Sequence, residues 1–171
     1  VYPRTLESFA CRRVVFDRVL NADPGSSWKA ATCVEGVLVT HAGISSEYER
    51  AFREECQGDP SLLAAYLDQT LIAAIRHELE TGDWAEDGIL GDRGPTWFRP
   101  RPYSSLLPLS GLRQVVGHTP PMPEFEEAGF YMVDPCAFMG MDDPGRFRYA
   151  MIEDEEIRVE EGTLTPLDVQ A

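Results

Sequence analysis

"GVLVTHAGIS", residues 36–45, and "GLRQVVGHTPPMP", residues 111–123, share one design. Each carries a strand-like aliphatic run to a lone imidazole, His41 in the first and His118 in the second. Small or rigid residues follow, and two prolines after His118 forbid a helix there. Val37, Leu38 and Val39 run without interruption, as expected of a strand covered on both faces. The chain has three histidines, so two of them stand at matching strand ends.

That placement has a chemical reading. Neutral imidazole is a favoured ligand of zinc, manganese and iron. The end of a core strand fixes a ligand in space. Ala42, Gly43 and Gly117 leave room for an ion and its substrate. Two histidines cannot complete a site, because a divalent ion takes roughly four to six donors. The competing reading is that each imidazole only hydrogen-bonds within its own loop, since 77 positions separate them. His77 differs: it lies inside a helical stretch beside Glu78 and reads as a solvated helix residue.

Outward from these two stretches, "CVEGVLVTH", 33–41, reads as a strand, and "ISSEYERAFREEC" opens a helix that Ser45 or Ser46 can cap. The clearest helix follows, with Asp59 as N-cap, Pro60 in the first turn and Gly82 as the stop. Leu63, Tyr66, Leu67, Leu71, Ala74, Ile75 and Leu79 form its apolar stripe. Residues 83–108 form a long connection with four prolines and three glycines, a length that points to function or mobility. Strands are expected in "LRQVVGH" and from Phe130 to Val133, and a hairpin in "RFRYAMIEDEEIRVEEG" with Asp154 and Glu155 near its turn. Upstream, "RVVFDRVL", 13–20, reads as a strand or short helix, and "NADPGSSW" as a turn. The order is mixed α/β or α+β, without regular βαβ alternation.

Composition bounds the rest. A chain of 171 residues, 43% hydrophobic, suits one domain with a real core. A net charge of −14 repels nucleic acid phosphates, while a local cation can still draw a small phosphate into one cleft. No apolar run approaches the ~20 residues of a membrane span, and no signal peptide is visible, so no membrane partner is expected. Cys11, Cys33, Cys56 and Cys136 lack zinc-site spacing and fit reduced thiols, with the cytoplasm as default location.

"VLVTHAGIS" and "VVGHTP" together resemble two motifs of the calcineurin-like metallophosphoesterases, in their phosphoprotein-phosphatase-like branch with its bacterial Ser/Thr phosphatases. The resemblance implies that His41 and His118 bind the same ion of a two-metal centre holding manganese, iron or zinc. Pro120, where nuclease-type members carry a second histidine, favours the phosphatase-like branch. "GPTWFRP", 94–100, is similar to the "GPLWYR" segment of bacterial members, which implies that Arg99 binds the substrate phosphate. A guanidinium suits that task by donating two parallel charge-assisted hydrogen bonds. Trp97 and Phe98 either wall the pocket or pack the loop. Asp134 stands near an aspartate the family carries after the corresponding strand, in a supporting role.

The resemblance covers about residues 33–160 and implies the C-terminal half of a four-layer αββα sandwich, with 1–171 as the C-terminal part of one domain. The family's upstream motifs GDxHG, GDxxDRG and GNHE or GNHD are absent, and "GDRG", 91–94, reads as a loop turn. Val1 in place of methionine agrees with a part of a longer phosphatase. The expectation is therefore metal-dependent phosphoester hydrolysis by the complete protein. Its substrate would be a phosphoprotein, a dinucleoside polyphosphate or a small phosphoester. The 171 residues alone are expected to bind metal weakly and not to turn over. The rival readings are a non-catalytic interaction module on a phosphatase fold, or an ordinary α/β domain with incidental histidines.

Overall fold

The computed structural model describes residue 21 and residues 29–82, 88–91, 93–101, 107–134 and 146–163. The expectations for residues 1–20, for most of the 21–28 turn, and for Cys11 and Cys136 lie outside them.

β1 (Ala31–Val34) and β2 (Val37–Thr40) are an antiparallel hairpin, with Val34 paired to Val37. The single strand expected over 33–41 is therefore two. Glu35 and Gly36 both take left-handed conformations (φ 47° and 74°), which a two-residue hairpin turn requires. After β2 the chain stays extended: Leu109 N–H donates to Ile44 O (2.9 Å) and Ser46 N–H to Leu107 O (3.0 Å). Ser45, held this way, does not cap a helix with its side chain; its hydroxyl donates to Arg93 O (3.2 Å). The helix expected here is a 3-10 turn, Ser46–Tyr48, then a wide turn, Ala51–Glu55.

α1 (Pro60–Thr81) matches its sequence signals. Asp59 accepts from Ser61 N–H (2.7 Å) at the start, and Gly82 ends it in the left-handed conformation (φ 76°). Leu63, Leu67 and Ile75 are buried, with Tyr66, Leu71, Ala74 and Leu79 packed against the same cluster. α1 lies over β1 and β2. Its Asp68 carboxylate accepts from Ala30 N–H (2.7 Å) and Ala31 N–H (3.3 Å), pinning the start of β1.

β3 (Gln114–Val116), the short α2 (Pro123–Glu126) and β4 (Phe130–Met132) complete a four-stranded sheet in the order β1-β2-β3-β4. β2, β3 and β4 are mutually parallel, so the sheet is mixed. β5 (Arg146–Glu153) and β6 (Glu156–Thr163) form a separate antiparallel pair, turning at Asp154 and Glu155 (φ 51° and 64°) as the sequence indicated. The hairpin touches the main sheet at both ends. Glu155 N–H donates to the Glu35 carboxylate (3.3 Å), and Arg113 donates to Glu155 O. Arg148 donates to Met132 O (3.1 Å) and to the Glu126 carboxylate (2.8 Å). The architecture is thus mixed α/β with one mixed and one antiparallel sheet.

Register decides which side chains share a face. Leu38 pairs with Gln114 and Gln114 with Phe130; Thr40 pairs with Val116 and Val116 with Met132. All six therefore point to one side of the pleat. Two clusters sit there, one joining Leu38 to α1, the other joining Val116, Phe130 and Met132 to Phe98 and Phe125. On the opposite face Val37 and Val115 are buried, Val39 and Tyr131 are half-buried, and Val34 is exposed. Among the described residues no helix is long and apolar enough to cross a membrane.

Candidate functional site

Parallel neighbours end at the same sheet edge, and in such sheets ligands bind beyond the carboxyl ends of the strands. The aligned triplet Thr40, Val116 and Met132 closes β2, β3 and β4 in one row. His41 follows the first strand by one residue; His118 and Asp134 follow the second and third by two. The two imidazoles meet, with ring centroids 4.9 Å apart and planes tilted by 50°. Strand pairing closes the gap that sequence separation left open.

Each histidine is held by its own local device. His118 takes a left-handed conformation (φ 64°) at the centre of a three-residue turn, closed by Thr119 N–H donating to Gly117 O (2.7 Å). That conformation costs a non-glycine residue about 1–2 kcal/mol, and such strain gathers at functional sites. Behind His41, the Thr40 hydroxyl accepts from Gly43 N–H (2.8 Å) and Ala42 N–H donates to Pro95 O (2.8 Å). The fully buried Gln114 amide grips the same loop: it accepts from Ile44 N–H (2.7 Å) and donates to Ile44 O (3.2 Å). Gly43 (φ 98°) is required by space as well as conformation, because a Cβ there would lie 2.5 Å from the Phe130 ring.

The long loop supplies the third side. Gly94 lies so close to the carbonyls of Gly88 and Ile89 that a Cβ would sit 2.4 Å from each oxygen. Trp97 N–H (3.1 Å) and Phe98 N–H (2.9 Å) both donate to Gly94 O. The two readings of the aromatic pair divide between the residues. Phe98 is fully buried and meets Phe130 edge-on (6.0 Å), anchoring the loop. Trp97 stands edge-on to His118 (5.4 Å, 84°) with 47% of its surface open, walling the site. Arg99 is exposed and makes no ion pair among the described residues, whereas Arg93 is held by Glu47.

Burial, the Arg99 guanidinium and the His41 ring together lower the pKa of His118, against an opposing pull from Asp134. The lowering favours the neutral ring, the form that donates a lone pair to a metal. Its Nε2 is buried without a hydrogen-bond partner among the described residues. An orphaned buried nitrogen of this kind calls for an explanation such as a bound ion. The pair thus fits an ion as two of its donors. Among the described residues no third His, Cys, Asp or Glu joins them in a group that could hold one. Asp134 is buried and acts on His118 through its charge. His77 is exposed on α1, as read from the sequence.

Sequence reading missed Gln114. Its signal is a lone amide within an aliphatic strand at the core, where a polar side chain must find partners. No protein-family model, curated protein or solved structure matches the chain.

Proposed function

We propose that this chain is the C-terminal half of a four-layer αββα metallophosphoesterase sandwich, and that the complete protein hydrolyses phosphoesters with two divalent ions. The observation that carries this reading is the meeting of His41 and His118, 4.9 Å apart, at the carboxyl edge of adjacent parallel strands. Support for the layered architecture comes from a sheet with α1 on one face and a second, antiparallel β-pair beside it.

Within this reading His41 and His118 are metal ligands and Arg99 binds the substrate phosphate. When bound, the divalent ions polarise the phosphoryl group and supply a nucleophile at neutral pH. The strained turn aims His118, and the Gln114 clamp holds the loop that carries His41. Arg99, fixed through its buried neighbour Phe98, grips a phosphoryl oxygen pair and offsets its charge. Asp134, buried near His118, draws the pKa of that ring upward and so partly offsets the lowering by burial, Arg99 and His41. Manganese, iron and zinc all suit imidazole donors.

Thermal unfolding with manganese tests this. A ligand that binds only the native state raises its melting temperature. The melting temperature should rise by a few degrees in millimolar MnCl2. His41→Ala and His118→Ala should each abolish most of that rise. Arg99→Ala should keep it, and should lose the further rise produced by added inorganic phosphate. An equal manganese response in His118→Ala contradicts the reading. With two ligands in hand, the chain alone should show no phosphomonoesterase turnover with manganese. Robust activity lost in His118→Ala would instead mean that the 171 residues hold a complete centre.

A further inference from the structure

Among the described residues, Trp97 is a large, exposed apolar group at this edge that the core does not use. Its neighbour Phe98 already anchors the loop, fully buried against Phe130. The backbone at Trp97 is fixed by its hydrogen bond to Gly94 O and by the crowding that makes Gly94 a glycine. The indole's exposure is therefore not looseness of the loop. It stands perpendicular to the His118 ring, its one aromatic neighbour among the described residues, and keeps 47% of its surface open. Arg99 follows two residues later on the same anchored segment.

A phosphoester presents phosphoryl oxygens at one end and an organic group at the other. With the oxygens on Arg99 and the histidine edge, the exposed indole beside His118 offers the organic group a wall to lie against. A rigid π-surface rewards a planar ring there and gives little to a flexible aliphatic group.

We infer that Trp97 is a specificity-determining residue, and that its indole selects phosphoesters whose organic group carries a planar aromatic ring. This inference rests on the phosphoesterase reading above. Base-on-aromatic stacking corresponds to an affinity gain of roughly tenfold.

The test is calorimetric titration of this chain, in manganese, with AMP, ribose 5-phosphate and phenyl phosphate. AMP should bind about tenfold more tightly than ribose 5-phosphate. That ratio should fall to about one in Trp97→Leu and stay within about threefold of the wild-type ratio in Trp97→Phe. The exposed position makes both variants fold, which an unchanged melting temperature verifies. Phenyl phosphate separates the two sources of the ring: a gain equal to that of AMP means any aryl ring suffices, and no gain means a nucleobase is needed. Either outcome supports ring selection if Trp97→Leu removes it. Equal binding of AMP and ribose 5-phosphate, or a ratio unchanged in Trp97→Leu, overturns the inference while leaving the phosphoesterase reading intact. Failure of all three ligands together with no manganese stabilisation overturns both.

Discussion

Gly43→Ala should lower the stability of the chain by about 3 kcal/mol. Two costs combine. Alanine at φ 98° pays a left-handed penalty of about 1–2 kcal/mol. The new methyl also meets the Phe130 ring at 2.5 Å. Phe130 cannot step aside, because it is fully buried between Phe98 and Phe125, so overpacking adds about 1–3 kcal/mol. For a chain of this length that means a melting temperature lower by roughly 6–12 °C. A double variant with Phe130→Leu separates the terms. It should recover the steric part and leave the conformational part, giving a coupling between the two sites. A wild-type melting temperature in Gly43→Ala would show that the close approach does not exist.

Gln114→Leu should cost about 2–3 kcal/mol and weaken the manganese response at the same time. The asymmetry of the clamp sets the size. Ile44 O keeps Leu109 N–H as a donor when the amide is lost. Ile44 N–H has its bond to Gln114 and would be left buried. An unpaired buried donor carries the full cost of desolvation, and leucine offers it nothing. The loop from His41 to Ile44 would also lose its tie to β3, so the imidazole pair should sample more arrangements. Thermal unfolding of the variant with and without MnCl2 checks both effects. Normal stability, or a full manganese response, would remove Gln114 from the account.

The elements that local chemistry dictates were legible in the sequence. α1 carries its stop and start signals in Asp59, Pro60 and Gly82, and all three act as read. The Asp154–Glu155 turn was legible for the same reason. The stretch after Ser45 was not, because pairing with residues 107–109 holds Ser45 extended and Arg93 O accepts a hydrogen bond from its hydroxyl. The hairpin turn at Glu35–Gly36 hid inside an aliphatic run that also reads as one strand.

The site divides in the same way. Periodicity and spacing could mark His41 and His118 as strand-end imidazoles, yet nothing local could bring them together. Their approach depends on β2 and β3 being parallel neighbours in register, a long-range fact. Gln114 escaped notice because its meaning lies in a loop 70 residues away. The roles of Trp97 and Phe98 are set by which ring finds Phe130 in the core. Arg99 stands apart from Arg93 because Glu47 engages the latter.

The most direct test is to count imidazoles on one ion. The chain, labelled with 15N at histidine and loaded with Mn2+, would be examined by pulsed electron paramagnetic resonance for nitrogen couplings. Two histidine nitrogens should appear in the wild type, and one in each of His41→Ala and His118→Ala where manganese remains bound. A bound ion that couples to fewer than two imidazoles, or a spectrum that neither substitution changes, would contradict the account.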